Sequence, residues 1–128
     1  MPITAYYASL FVLVYVVLSF NVIRLRRDHK VSLGDGGHVA LQRAIRAHGN
    51  YIEYMAPTVL LLYFFELAYG ADFWLHLMAV TFLVGRAIHA TAILSNASKM
   101  PLRVVGMALT FTVLISLSVR ILLSAVQL

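Results

Sequence analysis

The sequence predicts an all-α integral membrane protein, a bundle of four helices in which chain neighbours run antiparallel. Three observations carry that expectation. The 128 residues are 62% hydrophobic and only 12% charged, whereas a soluble domain carries about 25% charged residues. A chain this short cannot bury so much apolar side chain within itself, so lipid must solvate part of it. The apolar residues fall into four long runs, and the polar stretches between them are short, which sets sequential helices antiparallel.

The first span is expected over about residues 3–24. As a helix, the uncharged run Ile3–Ile23 reaches roughly 32 Å at 1.5 Å per residue, close to the roughly 30 Å hydrocarbon core. It has no basic n-region and exceeds an ordinary signal h-region, so it reads as a retained span. Arg24, Arg26, Arg27 and Lys30 follow, and then "GDGG", Gly34–Gly37, as a turn with Asp35 near the next helix start. The second span is expected over about 38–69 and the third over about 73–94, joined by an acidic connection with Glu66, Gly70 and Asp72. "SNASKMP" then breaks the chain. Pro101 suits a helix start, and the fourth span is expected over about 102–125. All four spans make one domain, with no repeat or low-complexity segment.

Nine of the ten Lys/Arg fall at one end of this arrangement, and Arg120 alone falls toward the other, where it is expected to snorkel outward. Positive loops stay in the cytoplasm, so both termini are expected on the opposite side. The basic residues form no stripe with interleaved aromatics, which argues against nucleic-acid binding. No cysteine is present, so any thiol chemistry must use a substrate's thiol. The five histidines are dispersed without HxxxH or HExxH spacing, so no metal site is expected. Tyr6, Tyr7, Phe73 and Trp74 lie near span ends and read as interfacial anchors.

The unusual stretch is "RAIRAHGNYIEYMAP", Arg43–Pro57. An ionisable group at the bilayer centre costs about 3 kcal/mol or more, yet this segment carries several. On a helical wheel at about 100° per residue, Arg43, Arg46, Asn50, Glu53, Tyr54 and Pro57 share an arc of roughly 100°. They form a polar stripe descending from the basic end. Arg46 and Asn50 are spaced i,i+4, and Asn50 and Glu53 are spaced i,i+3, so both pairs can touch. Arg46 and Glu53 are about 10 Å apart in rise, so Glu53 is expected to take its cation from another helix or from a ligand, with Arg43, Arg46 or Arg86 as candidates. Pro57 lacks an N–H, so it leaves the Glu53 carbonyl without its helical partner and favours a kink. The stripe is either a buried polar zipper that fixes helix register or a site for an anion and an ammonium.

The same stretch resembles the hallmark of the MAPEG family, the membrane-associated proteins of eicosanoid and glutathione metabolism. That hallmark is an arginine, an asparagine four residues on, then Glu-Tyr and usually proline. Here Arg46, Asn50, Glu53, Tyr54 and Pro57 meet it. The preceding "GDGG…L..AIR.HGN" is similar to small bacterial members. The resemblance implies a homotrimer of left-handed four-helix bundles in the inner membrane, with glutathione as co-substrate between subunits near the cytoplasmic face. Carried onto this chain, Arg46, Asn50, Glu53 and Tyr54 would line that site, with Arg43, Arg86, His89 and a neighbouring subunit's Arg26 as further candidates. Transferase members carry an arginine and two tyrosines on the third helix, and a further arginine that stabilises the thiolate. Arg86 fits the first of these. His89 and Ile93 stand where the tyrosines would be, and Lys99 and Arg103 are the candidates for thiolate stabilisation.

Three functions follow as expectations. The first is a membrane glutathione transferase or peroxidase acting on lipophilic electrophiles. The second is a non-catalytic glutathione- or lipid-binding scaffold. The third is a small proton-coupled transporter with Glu53 as relay.

Overall fold

A computed structural model describes residues 1–95 and 99–126. Helix α1 spans Ile3–His29, α2 Val39–Tyr69, α3 Phe73–Leu94 and α4 Met100–Val126. All four are long and apolar enough to cross a membrane, and the described residues contain no strand. Part of the expected break at "SNASKMP", residues 96–98, lies outside the described residues.

Contacts at the two ends fix the helix directions. At the basic end, the Arg43 side chain donates to the Ser95 carbonyl at 2.9 Å, placing the start of α2 beside the end of α3. At the opposite end, the Tyr69 hydroxyl donates to the Arg120 carbonyl at 2.6 Å, joining the end of α2 to the last turns of α4. Tyr7 and His76 meet there at 2.8 Å, so α1 and α3 start together. The chain therefore runs up, down, up, down. Helix α2 is the hub, packing against α1, α3 and α4.

Three boundaries differ from the sequence reading for local reasons. Helix α1 runs on through the basic cluster to His29. Arginine is a good helix former, and Arg26, Arg27 and His29 occupy its last turn, where cations complement the helix dipole. Helix α4 begins at Met100 with Pro101 inside its first turn, a position where no N–H partner is lost. Asp35 caps the turn rather than the helix: its Oδ1 accepts from the Gly37 N–H at 2.9 Å. The N-cap of α2 is His38, which makes no side-chain cap bond.

Glu66 is the largest correction. It lies inside α2, not in a connection, and its two carboxylate oxygens accept from the Ile3 and Thr4 N–H groups, each at 2.7 Å. Helix α1 follows Pro2 and has no cap of its own, and its first N–H groups have no intrahelical acceptor. A carboxylate 63 residues away supplies one. Asp72 serves α3 in the ordinary local way, accepting from the Leu75 N–H at 3.0 Å.

Phe11, Tyr51, Leu62, Phe65, Phe82 and Leu117 are fully buried at the bundle centre, and the Tyr51 hydroxyl donates to the Phe11 carbonyl at 3.0 Å. Leu13, Val17 and Phe20 on α1 and Val104, Ile115 and Leu122 on α4 face outward, as surfaces solvated by lipid chains do. The tightest crossing joins α3 to α4 at Gly85 and Gly106. A Cβ added to Gly106 would sit 2.7 Å from the Gly85 carbonyl oxygen and 2.7 Å from the His89 Cβ. Small residues let membrane helices approach this closely. Gly106→Ala is therefore expected to destabilise the bundle by about 1–3 kcal/mol through overpacking, measured by unfolding in detergent. An unchanged midpoint would show that the crossing is looser than described.

Candidate functional site

The stripe on α2 divides into an exposed part and a buried part. Arg46 and Glu53 form an ion pair at 3.7 Å, with side chains 61% and 54% exposed. Glu53 thus takes its cation from its own helix, contrary to the expectation from rise alone. Residues seven apart return to the same face, offset by about 20°. The two extended side chains reach toward each other across the two turns between them.

Asn50 turns the other way. Its Oδ1 accepts from a terminal N–H of Arg86 on α3, not from Arg46 or in exchange with Glu53. Arg86 is fully buried. Its other terminal nitrogen donates to the Thr110 hydroxyl at 3.3 Å and lies 3.4 Å from the Met107 sulfur, both on α4. Its guanidinium sits 5.3 Å from the centre of the Tyr54 ring. One cation therefore gathers groups from α2 and α4 around α3. No carboxylate pairs with it among the described residues, so its charge is met by carbonyl, hydroxyl, sulfur and ring. Its Nε has no acceptor among the described residues.

His89 lies one turn along α3. Its Nδ1 stands 3.0 Å from the Arg103 carbonyl oxygen. A carbonyl can only accept, so Nδ1 donates the proton in this contact and Nε2 is the ring nitrogen left for other partners. Against it lies a cavity of about 380 Å³ walled by His89, Met100, Arg103, Val104, Met107 and Phe111. Tyr54 packs edge-on to Phe111 at 5.8 Å, and Met107 contacts Arg86, so the α2–α3 polar network stands directly behind this wall. The Arg103 Nε is buried without an acceptor among the described residues. The cavity is thus apolar, with a histidine ring and an arginine at its edge.

The structure joins Asn50, Tyr54 and Arg86 in one network and places His89 and Arg103 beside it. Three other candidates stand apart within the single chain. Arg43 holds the Ser95 carbonyl. Arg26 donates to the Gly34 carbonyl at 2.8 Å and so braces the α1–α2 turn. Lys99 is exposed ahead of α4, and its carbonyl accepts from the Arg103 N–H. Ile93, at an expected tyrosine position, is buried apolar packing. The sequence reading missed Thr110, Met107 and Phe111, all on α4. The one available signal was Gly106 with Thr110 four residues on, a small-residue face of the kind that packs closely. Pro57 sits within a continuous α2, where the Thr58 hydroxyl donates to the Tyr54 carbonyl at 2.8 Å. No group of three metal-binding side chains occurs among the described residues.

The MAPEG family model matches residues 4–123. The chain belongs to the MAPEG family. Two curated relatives, both named inner membrane protein YecN, come from Escherichia coli K12 and E. coli O6:H1. Each is 42% identical over 88 residues, which is 68% of this chain and 66% of the relative. The matched stretch thus falls just short of two thirds of those relatives' length. In this MAPEG chain the polar network rests on Arg86, which yields a stability test. Asn50→Leu removes an acceptor from a buried cation and is expected to cost about 2–3 kcal/mol. Adding Arg86→Met should recover most of it, because a buried polar group removed together with its partner leaves nothing unsatisfied. If the double variant is no more stable than Asn50→Leu, the coupling is absent.

Proposed function

We propose that this MAPEG protein is a membrane-embedded glutathione-binding protein that either joins the glutathione sulfur to a lipophilic electrophile with loss of the thiol proton, or reduces a lipophilic hydroperoxide to its alcohol and water while two glutathiones are oxidised to the disulfide. The observation that carries the reading is the Arg46–Glu53 pair. Both side chains are more than half exposed on the flank of a bundle, where lipid contact would be costly. They need a polar covering. Glutathione offers two carboxylates and one ammonium, which match an arginine and a glutamate. A second and third copy of the chain would complete the covering, bringing Arg26 or Arg43 of a neighbour to the ligand.

The chemistry needs no protein nucleophile. Arg103, with Lys99 nearby, would hold the thiolate beside the apolar cavity, since an adjacent cation lowers a thiol's pKa. The cavity would take the lipophilic acceptor. The non-catalytic reading has its own support: the His89 Nδ1 is committed to a carbonyl and Ile93 is packed away, which leaves no tyrosine hydroxyl at those positions.

Titration calorimetry of glutathione into the detergent-solubilised protein tests the binding. Arg46→Ala should weaken affinity roughly tenfold or more, the value of one charge-assisted hydrogen bond. Heat absent in the wild type, or unchanged in the variant, would remove this reading. Ultraviolet absorbance of bound thiolate separates catalysis from binding alone.

The localisation proposed is a multi-pass protein of the bacterial inner membrane, by similarity to the YecN relatives. The basic end faces the cytoplasm and the termini lie outside. Since the chain has no cysteine, single substitutions report this directly. In intact cells, Ser32→Cys should resist a membrane-impermeant maleimide and Ala71→Cys should react. The reverse pattern would invert the topology.

A further inference from the structure

The end of the bundle away from the stripe holds a second cation in an unusual setting. The Arg120 guanidinium lies 5.7 Å from the ring centre of Phe65 and 5.2 Å from those of Tyr69 and Trp74. Rather than extending freely outward, it is held over three rings drawn from α2 and α3. Each such contact stabilises a cation in a partly dehydrated place. The rings leave its N–H donors unused: among the described residues, its side chain makes no hydrogen bond or ion pair. The two carboxylates at this end are engaged elsewhere, Glu66 on the first turn of α1 and Asp72 on the first turn of α3. Neither neutralises it.

Arg120 also forms one end of a groove of about 330 Å³. Phe65, Trp74, Met78, Ile115 and Val119 supply its apolar wall, and Ile115 and Val119 are exposed on the outer face. Trp74 is the second residue of α3, and Arg120 lies six residues before the end of α4. That level is where aromatic side chains sit at the membrane–water boundary. It is also the depth of lipid phosphates. A cation at headgroup depth, continuous with an apolar groove running toward the membrane centre, matches an amphiphile with one anionic head and a long tail.

We infer that Arg120 and the groove beneath it bind an anionic phospholipid, with the phosphate on the guanidinium and one acyl chain along Ile115, Val119 and Met78. The site is separate from the glutathione stripe and does not depend on it. It gives the bundle a lipid preference at the end where Arg120 is the only lysine or arginine.

Trp74 is the sole tryptophan and touches the site, so its fluorescence reads occupancy. The full chain is reconstituted in phosphatidylcholine vesicles. Phosphatidylglycerol with a brominated acyl chain is compared with equally brominated phosphatidylcholine at the same mole fraction. The brominated phosphatidylglycerol should quench Trp74 as if enriched roughly fivefold around it. Arg120→Gln should abolish the difference and Arg120→Lys should retain part of it. Millimolar inorganic phosphate should not reduce it, because the acyl chain is part of the ligand. Equal quenching by the two lipids in the wild-type protein overturns the proposal, whatever the fate of the variants. So does a preference that survives Arg120→Gln, or one that free phosphate erases.

Discussion

The bundle depends on a guanidinium with no carboxylate. Arg86 sits at the centre of an apolar protein with no water-facing surface of its own. Leaving such a charge unsolvated would cost many kcal/mol, so the surrounding structure is arranged to solvate it. Asn50 reaches it from α2 and Thr110 from α4, and the Tyr54 ring lies across it. The Gly85–Gly106 crossing belongs to the same arrangement. Gly85 precedes Arg86, and Gly106 lies one turn before Thr110. The close approach of the two backbones is what lets a short threonine side chain touch the cation. Burying Arg86 thus sets how α2, α3 and α4 pack, and the cavity beside His89 is walled by the same α4 turns.

The two ends of the molecule handle charge differently. At the end opposite the stripe, the acidic groups are consumed by structure: Glu66 holds α1 and Asp72 holds α3. At the basic end, an ion pair remains on the outer flank of α2 with more than half of each side chain exposed. Exposed surface ion pairs add little stability. In the function proposed above, this pair serves to recognise a charged, zwitterionic molecule. Within the chain, Arg26 braces the α1–α2 turn and Arg43 ties the start of α2 to the end of α3. Any contact they make with a ligand would come through another copy.

Much of this was legible in the sequence because membrane proteins obey few and strong rules. Hydrocarbon thickness and the cost of a bare charge fixed the number of spans and their approximate limits, and the i,i+3 and i,i+4 spacing of Arg46, Asn50, Glu53 and Tyr54 marked the stripe. Periodicity assigns a side chain to a helix face but does not name what meets it. Asn50 could have turned to Arg46 or Glu53 by spacing, and only the packing of α3 decided for Arg86. Glu66 illustrates the limit most plainly, because no local pattern joins it to two N–H groups more than sixty residues away. Arg120 read as a snorkelling residue for the same reason: Phe65 and Tyr69 lie on α2 and Trp74 on α3, and they meet it only where the end of α2, the start of α3 and the last turns of α4 come to one level. The sequence by itself determined how many helices cross and where their charges lie, since those follow from each segment's own free energy in lipid. The tertiary structure alone decided which polar groups satisfy one another, since that depends on which helices become neighbours.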